Sequence, residues 1–296
     1  MHSPPALQVQ QTQLQAAYLA LEAAVAAGLP GGCRAARRIA PRLFRDTAAV
    51  LSGLRPAFML DYAQLAPGGL AAAVGAMARA LSLARPPLLC VAAAAEGCAL
   101  LVRPGLLTRA PSPDAPALIA FEPDAMGGMV RPHWEGAEAA QAVLLQLEAL
   151  RQWLEARAAL PPASPPVVDL LDGPAAPVLP TLAGYLLGYP ALYLVHDQEG
   201  AQCASRALSS AALQLHTVAA TLACGAAGGW PAPEDGTLSG FTVPAELASG
   251  CDWEARWDAW QRSMLARVEA ARQVDGWPWA QLEVHAAAQA PRAVAL

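Results

Sequence analysis

From residue 173 to residue 195 the chain carries no charged side chain. An apolar stretch of that length either spans a bilayer or lies inside a folded core. Pro174, Pro177, Pro180 and Pro190, with Gly184 and Gly188, interrupt it. A proline inside a helix removes a hydrogen bond and clashes with the turn before it. The stretch therefore reads as a short helix at Leu182–Leu187 followed by a buried strand at Ala191–Val195, and no membrane association is expected. A charge-free piece of this length must be covered by the rest of the chain.

The covering segments are legible as helical stripes and short apolar runs. Leu14, Tyr18, Leu21 and Val25 recur at helical spacing within residues 11–27, and Gly28 and Pro30 end that helix. Ala57–Tyr62 reads as a buried strand, with a helix over Gly69–Leu81 after it. Leu88–Ala94 and Cys98–Val102 read as a hairpin turning at Glu96–Gly97. Residues 103–116 form a Pro-rich loop, Leu118–Phe121 a short strand, and Glu122–Trp134 an irregular segment. Residues 136–159 form a long helix with Val143, Leu147, Leu150 and Leu154 on one face and an Arg151–Glu155 pair. Further strands fall near Val167–Leu171, Ala211–Leu222, Leu238–Val243 and Gln281–His285, with a helix over 252–274. Residues 160–166 hold four prolines and are the candidate linker; they read as a surface loop. The expectation is an α/β (mixed α+β) fold: one mixed β-sheet flanked by helices, in a single domain over residues 1–296.

Composition bears on function more than on fold. All 19 basic residues are arginine, and asparagine is absent. Without lysine there is no Walker-A loop, protein-kinase strand lysine or Schiff-base chemistry. Without asparagine there is no N-glycosylation site and no Cys-His-Asn triad. The net charge of −5 gives no overall basic field, so no nucleic-acid partner is expected. Cys33, Cys90, Cys98, Cys203, Cys224 and Cys251 are scattered, which fits a reducing, cytoplasmic setting and no metal centre. Met1 to Gln13 shows no signal-peptide pattern. No cofactor can be assigned.

Few residues offer chemistry. Asp61 ends the first buried strand, and His196 and Asp197 end the strand at Ala191–Val195. Ligands of helix-flanked sheets bind beyond strand carboxyl ends. If the two strands lie side by side, these three groups gather at one rim for acid–base or metal chemistry. Otherwise they are caps and turn residues. Tyr185, Tyr189 and Tyr193 surround Gly188–Pro190 as core or pocket wall. Trp253, Trp257, Trp260 and Met264 share one face of the last helix, either covering the sheet or filling a partner's groove, with Trp277 and Trp279 nearby. Arg34, Arg37, Arg38, Arg42 and Arg45 cluster around Pro41, as a solvated helix face with ion pairs or as an anion-binding patch. Cys203, read as lying in a loop, has Arg206 near it in sequence.

Leu54–Tyr62 (LRPAFMLDY), Leu187–Val195 (LGYPALYLV), Cys203–Leu208 (CASRAL), Phe241–Leu247 (FTVPAEL) and Ala293–Leu296 (AVAL) together resemble the uncharacterised family of the open reading frame 74 protein of human chromosome 1. The resemblance follows the same order over most of the chain. It implies one domain across the Pro-rich stretch and carries no activity, cofactor or functional residue. Two readings follow. The first is a non-catalytic protein-interaction or scaffold protein with a protein partner, resting on the missing motifs, the tryptophan stripe and the arginine cluster. The alternative is a small-molecule- or metal-binding enzyme using Asp61 and Asp197 with His196.

Overall fold

The computed structural model describes residues 5–81, 86–93, 97–109, 115–123, 130–158, 164–222, 237–272 and 279–289. Three apolar strands form its centre: β1 (Ala57–Leu60), β3 (Cys98–Val102) and β2 (Leu89–Ala93), antiparallel in the order β1-β3-β2. β6 (Val167–Asp169) adds to the edge, parallel to β2. These strands are continuous apolar runs because both of their faces are covered. Phe58, Leu60, Cys90, Ala99 and Leu101 pack against α1 (Pro5–Gly28), α2 (Gly32–Leu51) and α3 (Pro67–Ala80). Their neighbours Ala57, Leu89, Val91, Leu100 and Val102 point the other way, against α4 (Ala137–Ala158) and α5 (Leu179–Leu187). That alternation follows from the two-residue period of a strand.

A second sheet, of order β5-β4-β7, comprises β5 (Val130–Trp134), β4 (Ala117–Pro123) and β7 (Ala191–Tyr193). Leu118 and Leu192 face the α4–α5 core, while Ile119 and Ala191 face a third core under α8 (Cys251–Arg272). Above that core lies an antiparallel sheet of order β10-β8-β9, made of β8 (Leu213–Leu222), β9 (Thr237–Pro244) and β10 (Trp279–Gln289). α6 (Gln198–Ser210) precedes β8, and the short α7 (Ala245–Ala248) follows β9. Val218, Leu238, Met264 and Val268 reach back into the first core beside Leu14 and Phe44, so residues on both sides of 160–166 share it.

The mixed α/β class holds, but the single expected sheet is divided into three. Irregular structure was expected over Glu122–Trp134, yet residues 130–134 form β5; proline is tolerated there because β5 is an edge strand and Pro132 faces Phe121 in the ladder. Cys203 lies on α6 rather than in a loop. That helix has no stripe of large apolar residues to announce it: its buried face is Ala204, Ala207 and Leu208. The charge-free stretch folds as expected into α5 and β7. Among the described residues no helix is long and apolar enough to cross a membrane. Glu96, residues 160–163, the Gly225–Gly236 loop, Cys224, Trp277 and the AVAL terminus lie outside the described residues.

Gly188 closes α5 with φ +76°, and a Cβ there would meet Pro56 Cγ at 2.7 Å. Gly188→Ala combines a left-handed backbone with a clash against the turn before β1. It should lower stability by more than about 1 kcal/mol in urea denaturation.

Candidate functional site

Charge inside this fold collects where α2, β1 and β9 meet. Arg45 and Asp46 are buried on α2, and Arg55 is buried in the turn that follows. Arg55 Nε donates to the Ala57 carbonyl at 2.6 Å, and its Nη1 donates to the Leu238 carbonyl on β9. The same Nη1 lies 3.9 Å from Asp46 Oδ1, and Arg45 Nη2 lies 3.5 Å from that oxygen. Tyr62 donates its hydroxyl to Asp46 Oδ2 at 3.1 Å. Arg42 approaches Asp46 Oδ2 at 3.7 Å and Asp61 Oδ1 at 3.4 Å, and its guanidinium stacks 3.9 Å over the Tyr62 ring. Burial raises the Asp46 carboxyl above its ordinary range, against the pull of Arg55 and Arg45. Burial also lowers Arg55 and pushes Tyr62 up, the latter with help from the Asp46 charge. Such perturbed groups mark functional candidates and structural ion networks alike. Here most of the donors and acceptors meet one another or the backbone.

The acids singled out from the sequence lie on different elements. Asp61 follows β1 in the first sheet, is exposed, and pairs with Arg42. His196 and Asp197 follow β7 in the second sheet and are exposed. The expected turn at Glu199–Gly200 is instead the first turn of α6. Asp197 is its N-cap, accepting from the Gly200 amide at 2.8 Å, a use of aspartate that satisfies an otherwise orphaned helix donor. β1 and β7 are not ladder neighbours. Among the described residues no group of three or more His, Cys, Asp or Glu could hold a metal ion. The tyrosines act as struts: Tyr185 donates to the Thr108 carbonyl, Tyr189 to Gly240 and Tyr193 to Thr242. Arg151 pairs with Glu155 as expected, and with Glu148 at 2.6 Å.

Sequence reasoning missed Asp46, Arg55 and His216. The first two had a signal, since charged residues inside the apolar runs LFRDTAAVL and LRPAFML need buried partners. Arg45 was grouped with an arginine cluster read as a solvated helix face or an anion-binding patch, yet it is 3% exposed, because α2 is buried from Leu43 to Leu51. His216 sits on β8 directly across from Phe241 on β9, their rings stacked with centroids 5.1 Å apart. Trp257 and Trp253 of α8 close over it at 4.3 and 5.3 Å. The tryptophan stripe therefore covers a sheet. His216 is fully buried, neither ring nitrogen has a hydrogen-bond partner, and burial lowers its pKa to about 4.

The elements and the site define a mixed α/β protein with a buried ionic joint and an aromatic box under its last long helix. Residues 142–296 match the family described as "Domain of unknown function (DUF4504)", just over half of the chain. The chain belongs to that family. No curated protein and no solved structure matches it. Tyr189, His216, Leu238 and Trp253 lie within the matched residues, whereas Asp46, Arg55 and Asp61 precede them.

His216 stays neutral in the folded chain down to about pH 4, whereas the unfolded imidazole takes up a proton near 6.5. Its contribution is complete above pH 6.5 and is lost as pH falls towards 4. His216→Phe should flatten this part of the stability–pH profile while leaving neutral-pH stability unchanged or higher, since no hydrogen bond is removed. Urea midpoints at pH 7.5 and 5 for both proteins read the difference.

Proposed function

We propose that the chain is a single-domain, non-catalytic interaction protein of the cytoplasm, and that within its family it stands with the open reading frame 74 protein of human chromosome 1. The observation that carries the non-catalytic reading is the mutual pairing of its interior ionic groups. Arg55 and Tyr62 both engage Asp46, and Arg55 also donates to the Ala57 and Leu238 carbonyls, as struts between elements do. A group held this way by internal partners is poorly placed to exchange them for a substrate.

The segments that carry the resemblance support the second half of the proposal. Leu54–Tyr62, Leu187–Val195 and Phe241–Leu247 meet at one joint. Gly188 abuts Pro56, the Tyr189 ring lies 5.0 Å from Phe241, and the Tyr193 hydroxyl bonds Thr242. Such neighbours constrain one another's identity. The free thiols of Cys33, Cys90 and Cys203 agree with a reducing compartment. The shared first core supports one domain across 160–166.

One observation favours a second reading. Asp61 and Arg42 form a solvent-facing ion pair at the outer edge of the ionic joint, where a small anion or cation would first be met. A thermal-shift screen against divalent cations, nucleotides and common metabolites separates the readings, run on the chain and on Asp61→Ala. The interaction reading expects a flat screen, with the endogenous protein eluting on size exclusion above its own 30.6 kDa. A metabolite at about 100 times its dissociation constant would add about 2.7 kcal/mol. Such a shift, lost in Asp61→Ala, would overturn the interaction reading.

A further inference from the structure

α2 is two-faced along its first half. Ala36, Ala40 and Leu43 turn into the first core, while Arg34, Arg37, Arg38 and Arg42 are exposed. Arg34, Arg38 and Arg42 are spaced by four, so they form one row on the helix surface. The row runs for about 12 Å at 1.5 Å per residue. Its flank is fixed by Arg37, which pairs with Glu22 of α1 at 3.4 Å. Arg42 ends the row, half-exposed, stacked on Tyr62 and already paired with Asp46 and Asp61. Arg34 and Arg38 have no carboxylate within ion-pair distance among the described residues. This concentration of positive charge stands on a chain whose net charge is −5, so it is local and not part of a general basic field.

We propose that this arginine row is a docking surface for an acidic segment of a partner protein. The proposal rests on the interaction reading above and names the partner's chemistry. Charge complementarity selects the occupant. Guanidiniums pair with carboxylates through two parallel N–H bonds, and Arg34 and Arg38, exposed one helical turn apart, are placed for two such pairs. Carboxylates spaced at three or four residues on a partner helix would match the four-residue spacing of the row. A nucleic-acid strand fits less well. It requires a basic track with aromatic platforms, and the one ring beside the row, Tyr62, is already covered by Arg42.

The test uses the full chain, a fluorescein-labelled helical peptide with Glu at four-residue spacing, a single-stranded oligonucleotide and phosphatidylserine vesicles. The variant is R34E/R38E, whose side chains are exposed and whose stability should match the parent. Arg206→Glu, an exposed arginine on α6, is the control. The acidic peptide should bind, weaken with salt, and lose about tenfold in affinity, about 1.4 kcal/mol, in R34E/R38E but not in Arg206→Glu. The endogenous complex on size exclusion should shrink with the same variant. Peptide binding equal in all three proteins would overturn the site. Tighter binding of the oligonucleotide or the vesicles would overturn the acidic-segment assignment. A complex that survives R34E/R38E would overturn the α2 surface while leaving the interaction reading standing, whereas a chain that enters no complex would overturn the reading itself.

Discussion

The rest of the structure depends on the burial of one guanidinium, that of Arg55. It reaches the carbonyl of Ala57 on its own side and that of Leu238 across the fold, and it lies against the buried carboxyl of Asp46. An ion taken out of water costs several kcal/mol unless partners replace the hydration shell. Here the partners come from α2, β1 and β9, so the cost is offset only when all three elements are in register. The joint thus makes the fold specific: Arg55 cannot be satisfied if β9 docks elsewhere on the sheet.

Around that joint the layers follow from ordinary patterning. The central strands are apolar throughout because helices cover one face and α4 and α5 the other. The charge-free stretch at 173–195 supplies α5 and β7, which link the first and second sheets. Tyr189, Tyr193 and the indole of Trp260 then bond that stretch to β9 and α8. α8 closes over His216, whose neutral ring is kept dry by Phe241, Trp253 and Trp257. Outside these layers, the first half of α2 exposes Arg34, Arg37, Arg38 and Arg42 together.

Much of the fold was legible. The stripes of α1 and α4, the β2–β3 hairpin and the strand at Ala191 follow from periodicity and turn residues alone. α6 was not, because Ala204 and Ala207 give a helical face with too little bulk to stand out from an alanine-rich background. β5 was hidden by Pro132, which an edge strand tolerates. The division into three sheets depends on strand order, which pairwise contacts decide and local pattern does not. At the candidate site, Asp61, His196 and Asp197 were visible as strand ends. That they serve different elements is a matter of topology. Arg55 was visible only as a charge within an apolar run. His216 gave no signal, since a histidine amid Leu215, Thr217 and Val218 reads like any alternating strand residue.

The central claim is that the interior charges are struts, leaving the exposed arginines of α2 for recognition. A double-mutant cycle with Asp46→Asn and Arg55→Met, followed by urea denaturation, tests it most directly. Removing Arg55 alone should cost about 3–5 kcal/mol, because it takes one of the charges facing the buried Asp46 carboxyl and the donors to the Ala57 and Leu238 carbonyls. The double variant should cost about 2 kcal/mol less than the sum of the singles, the coupling of a pair that acts as one unit. Single costs that add within about 0.5 kcal/mol would contradict the account, since independent sites behave that way.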